Sequence, residues 1–171
     1  EMVAVSKFSD WHPRHYLDVA QMAYGVGLGY DWLYHYMTAS RRNAVRNGIY
    51  KHCITTQDPP PNNAMQKENN WNPWCNGGVS VAAAAVFENY PTECATILAN
   101  AVKNLPLSFQ YAPSGAYPEG PGYYIVGVAF TVCLIDTLND ILGTDFGLSQ
   151  EPGIKESGSY LPAINGYVNC F

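Results

Sequence analysis

Charge is what this sequence has least of. Only 13% of its 171 residues are Asp, Glu, Lys or Arg, well short of the roughly one-quarter usual in globular domains. So thin a charge layer excludes an autonomous, heavily solvated surface protein. Basic residues are the scarcer kind: 9 Lys and Arg against 14 Asp and Glu leave a net charge of −5. The electrostatic footprint of a nucleic-acid binder is therefore missing. No apolar run of about 18 residues is read along the chain, so neither a transmembrane helix nor a membrane partner is expected. Glu1-Met2-Val3-Ala4-Val5 carries no basic n-region or cleavage site, so no signal peptide is expected, and Glu1 reads as an internal start. The five cysteines (Cys53, Cys75, Cys94, Cys133, Cys170) form no Cys-x-x-Cys pair, which leaves a zinc or redox motif unsupported. Cys94 and Cys133 lie in apolar helical segments and are expected as small core residues. The nucleophile elbow G-x-S-x-G, the phosphate loop G-x-x-x-x-G-K and the zinc pattern H-E-x-x-H are all missing too. Neither a metal nor a cofactor is expected.

Apolar residues, by contrast, make up 47% of the chain. That excludes intrinsic disorder, because there is ample apolar surface to offset conformational entropy. Aromatics are abundant, with 13 Tyr, 6 Phe and 4 Trp. A low-charge, Tyr-rich chain of this length reads as part of something larger, or as one domain with a broad partner surface.

Apolar spacing predicts five helices and no strand. The first covers 16–37, with Leu17, Ala20, Tyr24 and Leu28 as its stripe and Gly25, Gly27 and Gly29 admitting a close neighbour. The second covers 40–55, capped by Thr38 and Ser40, with its basic face outward. The third is small and apolar over 77–89, the fourth starts at Pro91 and runs to 104, and the fifth covers 123–142. Loops are expected over about 56–75 and 106–122, and the tail 144–171 shows no long element. The expected class is all-α, a single helical domain over 1–171 built of antiparallel hairpins. Helices apolar on more than one face favour a layered arrangement over a four-helix bundle.

Two loops concentrate the unusual residues. Asn69-Asn70-Trp71-Asn72-Pro73-Trp74-Cys75-Asn76 sets amide groups beside flat aromatic faces, a pairing that suits sugar rings. The alternative is a simple helix start, with Asn76 as N-cap and Trp71 and Trp74 as core plugs. Tyr117-Pro118-Glu119-Gly120-Pro121-Gly122-Tyr123-Tyr124 places Glu119 before a helix, where a carboxylate meets the positive end of the dipole. Tyr123 falls in the first turn, and a phenol there serves as base or acid when donors or cations stabilise its phenolate. A capping Glu and an interface Tyr are the alternative. His15 and Asp18 stand three apart and can form an oriented pair on one helix face.

Taken in series, these stretches resemble the helical region of the heparinase II/III-like and alginate-lyase-like polysaccharide lyases. The resemblance runs through His15-Tyr16-Leu17-Asp18-Val19-Ala20, Gly29-Tyr30-Asp31-Trp32-Leu33-Tyr34, Asn69-Asn70-Trp71-Asn72, Tyr117-Pro118-Glu119-Gly120-Pro121-Gly122-Tyr123 and Gly143-Thr144-Asp145-Phe146-Gly147-Leu148. It implies part of an incomplete (α/α) toroid from a larger bacterial protein, periplasmic or secreted, whose β-sheet domain is not represented here. It implies β-elimination on an acidic, uronate-containing polysaccharide. Tyr123 is similar to the family's catalytic Tyr and Asn70 to the Asn that faces the uronate carboxylate. The same likeness puts Glu119, His15, Asn69, Trp71, Trp74 and Tyr124 around the substrate. Where many characterised members follow that Asn with His, this chain has Trp71. A helical module that binds carbohydrate without cleaving it is the competing expectation. Partners are then the sugar polymer and the remaining domains of the parent, with self-association left open by exposed helix faces.

Overall fold

A computed structural model describes residues 1–56, 63–109 and 113–165. The triple proline Pro59-Pro60-Pro61, residues 110–112 of the second loop, and the end of the tail with Cys170 lie outside the described residues. Among the described residues every regular element is helical. The long ones are α2 (Leu17–Trp32), α3 (Ala39–His52), α4 (Trp71–Ala85), α5 (Pro91–Asn104) and α6 (Pro121–Leu142). Short α1 (Met2–Val5), α7 (Pro152–Lys155) and α8 (Tyr160–Asn165) flank them. The all-α class is as expected.

Local chemistry explains most boundaries. α3 starts where the Thr38 hydroxyl accepts the Arg41 N–H at 3.3 Å. α5 starts at Pro91, whose missing N–H is no loss in a first turn. α6 stops at Gly143, which takes a left-handed φ of 71° that other residues adopt only under strain. The first predicted helix is too long, because α2 ends at Trp32 and a 3₁₀ turn, Tyr34–Tyr36, follows. Its buried stripe also differs, being Val19, Ala20, Ala23, Val26, Gly27 and Tyr30.

The third helix departs most from expectation. α4 begins at Trp71 rather than at 77 and ends at Ala85 rather than at 89. Asn76 is consequently not an N-cap; it is fully buried in the helix interior. Pro73 conceals this start in the sequence, yet proline is harmless in a first turn, whose N–H groups have no partner within the helix.

Residue pairs between helices give their directions. Gly78 of α4 abuts the Ala20 carbonyl of α2, and one turn further on Gly27 meets Ala82 backbone, 2.8 Å from where its Cβ would be. α2 and α4 therefore run the same way. Gly77 abuts the Phe130 carbonyl of α6, while Asn70 pairs with Glu119 just ahead of α6. So α6 is parallel to both. Adjacent glycines thus let α4 lie between two helices, one on each side, at backbone contact. α5 runs back, since Asn72 at the start of α4 donates to the carbonyl of Asn104 at the end of α5, 2.7 Å. The result is a row of three parallel helices, with α5 running back between α4 and α6.

Two clusters fill the spaces between these layers. One joins α2, α3, α4 and α5 through residues such as Val19, Val45, Ile49, Cys75, Val79 and Ile97. The other joins α5 to α6 through Leu98, Leu105, Leu134 and Leu138. Cys94 is buried as expected, and burial pushes its thiol up to about 12, so it stays protonated and inert at neutral pH. Cys133 is only partly buried. α6 corrects one further expectation, because its 22 residues are long and apolar enough to cross a membrane by length and composition. Gly127, Thr131, Asp136 and Thr137 interrupt the apolar run, so no unbroken stretch is visible in the sequence. A core helix meets the same criterion, and α6 packs along α4.

His52, at the end of α3, is 2% exposed, packs on Trp11 at 5.2 Å and donates from Nε2 to the Ser6 carbonyl at 3.3 Å. Burial pushes its imidazole below the ordinary value, and the Ser6 carbonyl offsets this only in part. The folded chain thus resists a proton that the unfolded chain accepts near pH ~6.5, so this contribution is present above that value and lost below it. The melting temperature should fall between about pH 7.5 and about pH 5.5, and fall less in His52→Gln. An equal fall in both would assign the acid sensitivity elsewhere.

Candidate functional site

Because α2, α4 and α6 are parallel, their N-terminal ends lie at one end of the molecule. That end is where the sequence-predicted residues gather. Each N-terminus carries about half a positive charge, and the carboxylates of Asp18 and Glu119 stand at two of the three.

The centre is the start of α4. Glu119 reaches across from the segment before α6 and accepts two bonds from Asn70, from its backbone N–H at 2.6 Å and from Nδ2 at 2.7 Å. Asn69 Oδ1 accepts the Trp71 N–H at 3.1 Å, and Asn69 O accepts the Asn72 N–H at 3.1 Å. Pro73 has no N–H to satisfy. Every donor of the first turn is thereby accounted for, and Glu119 acts as a cap on α4 rather than on the helix it precedes. Asn70 itself is 3% exposed.

The aromatic residues split into two groups. Trp71 is partly exposed, with the His15 ring edge-on at 5.2 Å and the Lys67 ammonium 3.9 Å from its ring centroid. Trp74 is turned inward, stacked on Phe130 at 5.5 Å, with its Nε1 donating to Gln21 Oε1 at 3.2 Å. Tyr123 is 54% exposed in the first turn of α6. Tyr124, one residue on, is buried and donates its hydroxyl to the Ser157 carbonyl at 2.6 Å. The neighbouring asparagines are occupied as well: Asn72 holds Asn104, and Asn76 Nδ2 donates to the Met65 carbonyl at 2.8 Å.

At the start of α2, Asp18 Oδ2 lies 2.7 Å from His15 Nδ1 and 2.9 Å from His12 Nδ1. Burial alone would raise the Asp18 carboxyl, but the hydrogen bonds and charges of His15 and His12 outweigh it and hold the group below its ordinary value. The expected His15–Asp18 pair is thus present, with His12 as a third member that the sequence reading left out. A left-handed turn at His12, φ 57°, folds its ring back toward the helix, which spacing alone does not reveal. Lys67 was also missed, since nothing in an Asn-rich loop signals which of its residues will lie over Trp71.

The structure brings together His15, Asn69, Asn70, Trp71 and Glu119 by direct contact, with Tyr123 four residues beyond Glu119 on α6. Tyr124 and Trp74 belong to the packing beneath. The larger hollows flank the opposite half of the helices, among them a groove of about 300 Å³ walled by Phe87, Leu98, Leu138 and Phe146. No protein-family model matches this chain, and no curated protein matches it significantly.

Proposed function

We propose that this chain is the helical catalytic part of a polysaccharide lyase, acting by β-elimination on a uronate-containing polymer. The observation that carries the reading is the convergence of three helix N-termini through the Asn70–Glu119 bonds and the His15–Trp71 contact. In this reading the row α2, α4, α6 is the inner layer of part of an (α/α) toroid, and α3 and α5 belong to the outer layer.

The elimination needs two things from the protein. The uronate carboxylate must be neutralised so that the adjacent C5 proton becomes acidic, and a base must take that proton. The three N-termini, the Lys67 ammonium and the His15 imidazole supply positive potential around Trp71. Asn70, whose amide is held by Glu119, acts as a positioning residue in this state. The Tyr123 oxygen, as phenolate, removes the C5 proton. The electron pair forms the C4–C5 double bond, the C4–O4 bond breaks, and the departing O4 regains a proton from the Tyr123 hydroxyl. Trp71 offers a flat face to the sugar ring.

A direct test is incubation of the chain, and of its full-length parent, with alginate, heparin, chondroitin sulfate and ulvan. Each new chain end carries a conjugated double bond, so ultraviolet absorbance reports turnover. Rising absorbance with one acidic polymer supports the proposal. Equal binding of neutral and acidic glycans without elimination would leave the chain a carbohydrate-binding module.

A further inference from the structure

We propose that His12, His15 and Asp18 form a binding site for a divalent transition-metal ion of the zinc type. This goes beyond the lyase reading and does not depend on it. One ligand atom from each of the three residues lies within 4.8 Å of the other two. Both imidazoles turn the same nitrogen toward one carboxylate oxygen, at 2.9 and 2.7 Å.

Zinc–nitrogen and zinc–oxygen bonds of about 2.0–2.1 Å in tetrahedral geometry set neighbouring ligand atoms about 3.3 Å apart. The two His–Asp18 pairs need to open by about half an ångström, and all three side chains are exposed enough to move. Two imidazoles and one carboxylate suit zinc, copper or nickel, whereas magnesium and calcium prefer all-oxygen shells. Three protein ligands leave a fourth position to water, the arrangement of an open zinc site.

The backbone prepares the set. His12 is held in its turn by Asp10 Oδ1, which accepts its N–H at 2.7 Å, while the His12 carbonyl accepts from His15 and Tyr16 at 3.1 and 3.3 Å. Asp18 is fixed in the first turn of α2. Binding would replace the hydrogen bonds now shared at Oδ2. The groups facing the cluster include the Asp10 carboxylate and, across His15, the Trp71 ring with Lys67 above it.

The test is titration of the full chain with Zn²⁺ alone by calorimetry under reducing conditions, alongside His12→Ala, His15→Ala, Asp18→Asn and His35→Ala. One equivalent of zinc is expected on the wild type, weakened on the order of ten-fold or more by loss of either imidazole. Asp18→Asn should weaken it too. His35 is exposed and stands outside the cluster, so its replacement should change nothing. Circular dichroism checks that each variant remains helical. The proposal is overturned if the wild type takes up no zinc, or if folded His12→Ala and His15→Ala bind it as the wild type does. Mg²⁺ binding at equal strength through the same residues would overturn the metal class.

Discussion

Replacing Tyr123 by Phe should remove elimination activity while leaving the helical fold intact. The side chain is 54% exposed, and among the described residues its hydroxyl has no hydrogen-bond partner. Deleting the oxygen therefore removes no packing and orphans no buried group, and stability should stay within about 0.5 kcal/mol of the wild type. In the proposed reaction, what the substitution removes is the atom that would accept the C5 proton and return one to O4. A positioned acid–base group contributes ~10²–10⁴-fold, and one group serving both proton transfers should sit toward the upper end. The decisive readout is a kcat that collapses while KM for the acidic polymer stays near its original value, since Trp71, Lys67 and His15 still hold the sugar. Undiminished turnover in a folded Tyr123→Phe protein would remove Tyr123 from the mechanism. Tyr124→Phe is the matched control, because it loses a buried bond to Ser157 and should lower the melting temperature.

The sequence announces the class of this fold plainly and its site only in part. Helix spacing and the Pro91 and Gly143 signals locate α5 and the end of α6 because those cues act locally. The start of α4 is hidden because its donors are satisfied by groups remote in sequence, Glu119 above all. Asn70 and Asn76 look alike in a string of asparagines, yet one faces Glu119 and the other is fully buried. Only tertiary contact separates them. Trp71 and Trp74 differ for the same reason: the three-residue step turns one toward His15 and the other onto Phe130. Parallel helix direction is the least legible feature of all. It rests on which face each glycine presents, and it is what collects the N-termini at one end.

That convergence bears on how an acidic chain would meet the acidic polymer proposed as its substrate. A net charge of −5 describes the whole molecule, whereas an anion at the N-terminal end meets three helix dipoles and the Lys67 ammonium, with Asp18 and Glu119 already bonded to His12, His15 and Asn70. Fields from fixed dipoles fall off within a turn, so local arrangement outweighs the distant total. Acidic groups such as Asp31, Glu88 and Asp140 line hollows along the other half of the helices.

Glu119 is the residue whose loss should disturb both stability and chemistry. Its two oxygens accept the backbone and side-chain N–H groups of Asn70 at 2.6 and 2.7 Å, across 49 positions of sequence. Hydrogen bonds to a charged acceptor are each worth about 1.5–3 kcal/mol, and partial exposure lowers the sum. Glu119→Ala should therefore cost about 2–4 kcal/mol, which for a chain of this length lowers the melting temperature by about 5–15 °C. Turnover should drop with it, because Tyr123 lies one helical turn beyond Glu119 and loses its anchor to α4. Asn70→Asp separates this clamp from a general loss of packing. The variant keeps the shape of the side chain but sets two carboxylates against each other, so in the folded state the pair should hold a shared proton with a raised pKa. Stability would then be lowest at neutral pH and would recover as pH falls through that raised value, below which one carboxyl is protonated and can donate to the other. His52 drives the wild type the opposite way over the same range. If acid stabilises Asn70→Asp while destabilising the wild type, the Asn70–Glu119 clamp is the element joining α4 to α6. If both lose stability in parallel, the clamp does not hold these helices together in solution.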